Sequence, residues 1–133
     1  MSQEKVELAN QVMETLSRRD LPGLLAVADP EIEWHSFFAE VGEGGVYRGH
    51  DGTRRYVRDL NEAWEIVRAD VDAGIGAGDV ALLVGRIHYR GKGSGIETES
   101  AAGWMLKFRD RKLLRFRAFR DPERALEAAG LSE

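Results

Sequence analysis

The chain has no cysteine, only three prolines and only three histidines in 133 residues. The first absence excludes disulfides, thiolate nucleophiles and cysteine-ligated zinc or iron-sulfur sites. His35, His50 and His88 stand far apart, without the i, i+4 or strand spacing of metal ligands, so no metal site is expected and no cofactor is implied. No apolar run is long enough to span a bilayer, and the opening MSQEKVELANQ has no apolar signal core. The expectation is a cytoplasmic protein with no membrane partner. Positive charge is also short: 19 Lys and Arg against 23 Asp and Glu give a net charge of -4. That balance argues against a nucleic-acid partner, whose affinity needs an excess of cations. The glycine clusters GEGG and GKGSG lack the strand-to-helix setting and the Lys-Ser/Thr pair of a phosphate loop.

What is present fits one ordinary globular domain over 1–133, with 43% hydrophobic and 32% charged residues. Val6, Ala9, Val12, Met13 and Leu16 recur at helical spacing from Glu4 to Arg19. Asp20 is placed to cap a second, short helix that ends at Asp29-Pro30. EIEWHSFF (31–38) reads as a strand and 39–49 as a glycine-rich loop. A third helix follows Gly49, with Tyr56, Val57, Leu60, Trp64 and Val67 on one stripe. Alternation then predicts strands from about 67, from Val80 to Arg90, from Ile96 to Phe108 and from Lys112 to Arg120. Asp121-Pro122 starts a last helix that Gly130 ends. Short connections force antiparallel neighbours, so the fold class is α+β, with helices on one face of a curved antiparallel sheet.

GVYRGHDGTRRYVRDLNEAW, the strand ending in RGKGSG, and WMLKFRDRKLLRFRAFRDPERALEAAGL together resemble a SnoaL-like domain of the nuclear-transport-factor-2-like superfamily. The resemblance covers nearly the whole chain. It implies a cone-shaped sheet wrapped around the N-terminal helices, an internal pocket with a small-molecule ligand, and a homodimer through the outer sheet face. Members include isomerases, cyclases, epoxide hydrolases, dehydratases and non-catalytic binders, so the fold alone does not give the chemistry. One departure is local, since the family turn reads like RDGK and here Arg111 takes the place of the glycine.

A three-residue turn at 109–111 pairs Phe108 with Lys112, Trp104 with Phe116, Ala102 with Ala118 and Ser100 with Arg120. One face is then mostly apolar, while Lys107, Arg115 and Arg117 look outward. Extending the pairing through RGKGSG puts Leu82, Val84, Arg86 and His88 on the pocket face. The expected ligand pocket is Trp34, Tyr56, Trp64, Arg86, Ser100, Trp104, Phe116 and Arg120. The plainer reading makes the aromatics core, His88 an exposed strand-end residue, and Arg86 half of an ion pair with Glu97 or Glu99.

Aligned by the resemblance, the carboxylate base of a ketosteroid-isomerase site falls at or near Trp34 and its acid at or near Trp104, and neither indole can do that work. Asp121 matches the acid of the cyclase members, although the histidine that accompanies it is missing and Asp-Pro is also a plain helix start. An epoxide-hydrolase site would use Arg86 but lacks its two flanking aspartates. Asp121 and His88 are therefore the candidate catalytic residues. The function expected is a small-molecule pocket protein acting as a lyase, isomerase or cyclase-like enzyme on an apolar or weakly anionic metabolite. The alternatives are a non-catalytic ligand binder and a homodimeric interaction module with an incidental pocket.

Overall fold

The computed structural model describes residues 2–36 and 45–130. Its first helix, α1 (Ser2–Ser17), buries Ala9, Val12 and Met13 along the stripe that the spacing predicts. The chain leaves α1 through Arg19, whose φ is 53°. The Asp20 carboxylate then accepts from the Gly23 N–H at 3.1 Å and caps α2 (Leu21–Val27), which has Pro22 in its first turn. The expected extension of the next strand to Phe38, and residues 39–44 of the glycine-rich segment, lie outside the described residues.

Among the described residues six strands follow, β1 (Ala28–His35), β2 (Val46–Arg48), β3 (Trp64–Ala77), β4 (Val80–Gly91), β5 (Glu97–Arg109) and β6 (Lys112–Phe119). α3 (Gly49–Ala63) lies between β2 and β3, and α4 (Pro122–Ala128) follows β6. β1 begins at Ala28, ahead of Asp29-Pro30. Pro30 is tolerated there because the pairing with β6 is interrupted between Ala28 and Glu33, so the missing N–H leaves no gap in the ladder. Trp64 was expected on the third helix. It opens β3 instead, with α3 running into the strand without a loop.

The sheet order is β2-β1-β6-β5-β4-β3. Every neighbouring pair is antiparallel except β1 and β6, which run parallel and make the sheet mixed. The antiparallel expectation holds for strands joined by short loops, but β1 and β6 are far apart in the chain and that rule does not bind them. α1, α2 and α3 cover one face through a core containing Leu24, Ile32, Trp34, Leu83, Trp104, Leu106, Leu113 and Phe116. α4 covers part of the other face, where Ala125 joins Leu82, Met105 and Phe119.

The β5-β6 turn is tighter than expected. Arg109 pairs with Lys112, leaving only Asp110 and Arg111 in the turn, at φ 52° and 65°. Two successive positive φ angles give the mirror-image turn that suits strand twist. Arg111 thus occupies the left-handed position that glycine holds in the family, and its guanidinium reaches Glu4 on α1. A bulge follows, because Phe108 pairs with Leu113 while Lys107 pairs with Arg115, leaving Leu114 extra. Leu106 therefore faces Phe116 and Trp104 faces Ala118, two residues from the expected register. An even shift keeps every side chain on its face. Only Leu114 changes place, with Leu113 taking the fully buried position.

An odd shift affects β4. Leu83 pairs with Trp104, Ile87 with Ser100 and His88 with Glu99. Leu82, Val84, Arg86 and His88 were expected on the pocket face, and the pairing puts them on the other one.

The corner between α3 and β3 is clamped from two sides. The Arg19 guanidinium donates to the Asn61 Oδ1 and the Trp64 carbonyl, each at 2.9 Å. Lys92, from the β4-β5 loop, donates its Nζ to the Asn61 carbonyl and its N–H to the Ala63 carbonyl.

Candidate functional site

Between α1, α3 and the sheet lies a cavity of about 170 Å³. α1 contributes Met13, Leu16 and Ser17, α3 contributes Tyr56 and Leu60, and Ser36 follows β1. The strands supply Trp64, Val67 and Ala69 from β3, Ile87 and Tyr89 from β4, Trp104 from β5, and Phe116 and Ala118 from β6, with Arg120 just past its end. A bulge between Trp64 and Ile66 explains why Trp64, Val67 and Ala69 share a face despite their mixed parity.

The walls are aromatic. Trp64 and Tyr89 lie 4.9 Å apart with ring planes at 45°. Trp34 is fully buried behind the lining, 5.3 Å from Tyr56 and 5.1 Å from Phe116. Its indole N–H donates to the Thr53 Oγ1 at 2.8 Å, and that hydroxyl donates to the Gly49 carbonyl. Trp34 therefore fixes two wall residues from behind, and the expectation that it faces ligand is corrected.

Burial, reinforced by the nearby Tyr47, pushes the Tyr56 phenol well above its ordinary pKa, so it keeps its proton as a donor and is no base. Burial and the bond from its hydroxyl to the Asp59 Oδ2 at 2.7 Å raise Tyr47 to about 12. Among the described lining residues there is no carboxylate and no histidine, and Arg120 is the only formal charge. No group of three or more His, Asp or Glu among the described residues could hold a metal ion.

Of the expected site residues, Tyr56, Trp64, Trp104, Phe116 and Arg120 line the cavity. The others lie elsewhere. The His88 Nε2 is 2.8 Å from Asp70 and its Nδ1 is 2.9 Å from Glu99. Arg86 completes that outer-face chain at 2.9 Å from Glu99. Ser100 sits opposite Ile87 without lining the cavity. Asp121 is exposed and accepts from the Glu123 N–H at 2.9 Å, which makes it the N-cap of α4. Its Asp-Pro dipeptide works as a helix start.

The lining residues that sequence reasoning missed include Ser17, Ser36, Ile87 and Tyr89. For the last two a signal existed. An ion pair between Arg86 and Glu99 requires both on one face, and with Glu99 outward the inward residues of β4 are Ile87 and Tyr89. Ser17 and Ser36 had no comparable signal.

The SnoaL-like domain family matches residues 9–116. Among solved structures, an NTF2-like protein of unknown function from Burkholderia pseudomallei aligns with a TM-score of 0.76 at 22% identity, over 92% of this chain and 95% of its own. TerC, co-crystallised with polyporic acid, aligns with a TM-score of 0.75 at 21% identity over the same shares. A protein of ketosteroid isomerase-like fold from Catenulispora acidiphila, in complex with trimethylamine, aligns with a TM-score of 0.75 at 13% identity, over 95% of this chain and 94% of its own. No curated protein matches the sequence significantly. Identities this low carry the fold alone, but the family match spans most of the sequence, and the chain belongs to the SnoaL-like domain family.

Proposed function

We propose that this chain binds a small apolar or weakly anionic metabolite in the cavity between its helices and sheet. The observation that carries the reading is an aromatic-walled void of about 170 Å³ among side chains that could otherwise have closed it. Protein interiors pack with few voids larger than a water molecule, so a hollow of this size in a small domain points to an occupant. The void also counts against an interaction module with an incidental pocket. Two relatives were crystallised with small molecules, one with trimethylamine and one with polyporic acid, which supports the reading for the fold. Acid-base turnover of the isomerase or cyclase kind has less support, because no described lining residue is a carboxylate or histidine and Tyr56 holds its proton.

The test is a thermal-shift series with toluene as probe. A ligand that binds only the folded state raises Tm with concentration. The native chain should respond, and Ala118→Trp, which projects an indole into the cavity, should not. An equal response from both, or none from the native chain, would sink the proposal.

A further inference from the structure

We infer that the occupant is a monocyclic carboxylate, with its ring among the aromatic walls and its carboxylate at the rim on Arg120. This rests on the small-molecule reading above and makes it narrower.

The first argument is size. An apolar protein cavity of roughly 150 Å³ takes up benzene, and the void here is about 170 Å³. It holds one ring and a small substituent.

The second is sign. The guanidinium of Arg120 donates hydrogen bonds and cannot accept them, while the hydroxyls of Ser17, Ser36 and Tyr89 can donate as well as accept. Tyr56 keeps its proton and also donates. A ligand with acceptor oxygens therefore finds partners, whereas a cation finds no described carboxylate in the lining.

The third is position. Arg120 follows the end of β6 and is exposed, so a carboxylate beside it keeps part of its hydration while the ring is buried. Arg120 has interactions of its own within the chain. A guanidinium carries more N–H donors than one partner can occupy, so it can still take a carboxylate.

The aromatic walls could instead attract a cation through their faces, and this is the rival outcome. The experiment titrates the full chain with benzoate, toluene and trimethylammonium, followed by calorimetry and by NMR shifts of the lining residues. Benzoate should bind at least about tenfold tighter than toluene, as a hydrogen bond to a charged group implies, and trimethylammonium should be weakest. Arg120→Met should remove most of the benzoate preference and Arg120→Lys should restore part of it. Arg117→Met, on the opposite face, should leave the preference unchanged. If toluene binds as tightly as benzoate, or trimethylammonium binds tightest, the carboxylate inference fails and the cavity reading stands. If none of the three perturbs the lining residues, both fail.

Discussion

The two faces of the sheet are built from alternate residues of the same strands, yet they solve opposite problems. Beneath α1, α2 and α3, Trp34, Trp104, Leu106 and Phe116 are almost completely buried, and the cavity interrupts an otherwise continuous apolar core. On the other face, Asp70, His88, Glu99 and Arg86 form a chain of polar contacts in which Arg86 and Glu99 are about half exposed. There the apolar part shrinks to a patch under α4. Most charge thus lies on the side where water screens it, and the inner face is apolar apart from a few groups such as the buried Thr53 and the polar residues that line the void. A mutation's cost should follow the face it strikes more than the number of contacts it removes.

The sharpest test of that contrast is Trp104→Ala, which should lower unfolding free energy by about 3–5 kcal/mol in a urea titration. A loss near zero would mean the inner face is not the core. Next is Thr53→Val, which strands the buried Trp34 indole N–H and should cost about 1–3 kcal/mol by the same measurement. It should also loosen the Trp34 ring, which near-ultraviolet circular dichroism would register. Asp121→Ala, at the cap of α4, should cost roughly 1 kcal/mol. It should leave toluene binding intact, and a loss of binding would return Asp121 to the site. Arg86→Ala should cost less than about 1 kcal/mol, since the pair it breaks is largely solvated.

The gentlest lever is acid. The Glu31 N–H and the Arg109 guanidinium hold the Asp29 carboxyl below its ordinary value of 3.8. Its contribution is therefore complete above that value and is lost as pH falls through the lower folded one. Asp29→Asn should lower stability at neutrality, where that contribution is complete, and flatten the acid limb of a stability-pH curve below about pH 4, so that the two curves converge in acid. An unchanged limb would mean that the Arg109 contact does not hold in solution.

Much of the fold was legible because its signals are local. The stripe of α1, the Asp20 and Asp121 caps and the alternation of β5 and β6 each depend on a few neighbouring residues. Trp104, Leu106, Phe116 and Ala118 kept their face even though the register was wrong, because the two-residue turn and the Leu114 bulge shift it by an even number. β4 had no such luck. Its pairing passes through a longer glycine-containing loop, where one residue decides the face, and His88 and Arg86 moved out while Ile87 and Tyr89 moved in. The parallel β1-β6 pair was illegible for a different reason, since no local pattern reports contact between strands separated by most of the chain. Trp64 sits where helical and strand periodicities coincide, so its element was ambiguous while its inward direction was not.

The clamp at the α3-β3 corner has a kinetic consequence. Arg19 and Lys92 tie the end of α1 and the β4-β5 loop to the peptide groups beside Trp64, so this wall of the cavity cannot swing outward without breaking several hydrogen bonds together. A bound ring leaving past Trp64 would have to wait for a concerted opening instead of a single rotamer flip. Its residence time along that path would be set by the rate at which the corner opens, and weakening the clamp at Arg19 would shorten it even if the lining itself were untouched.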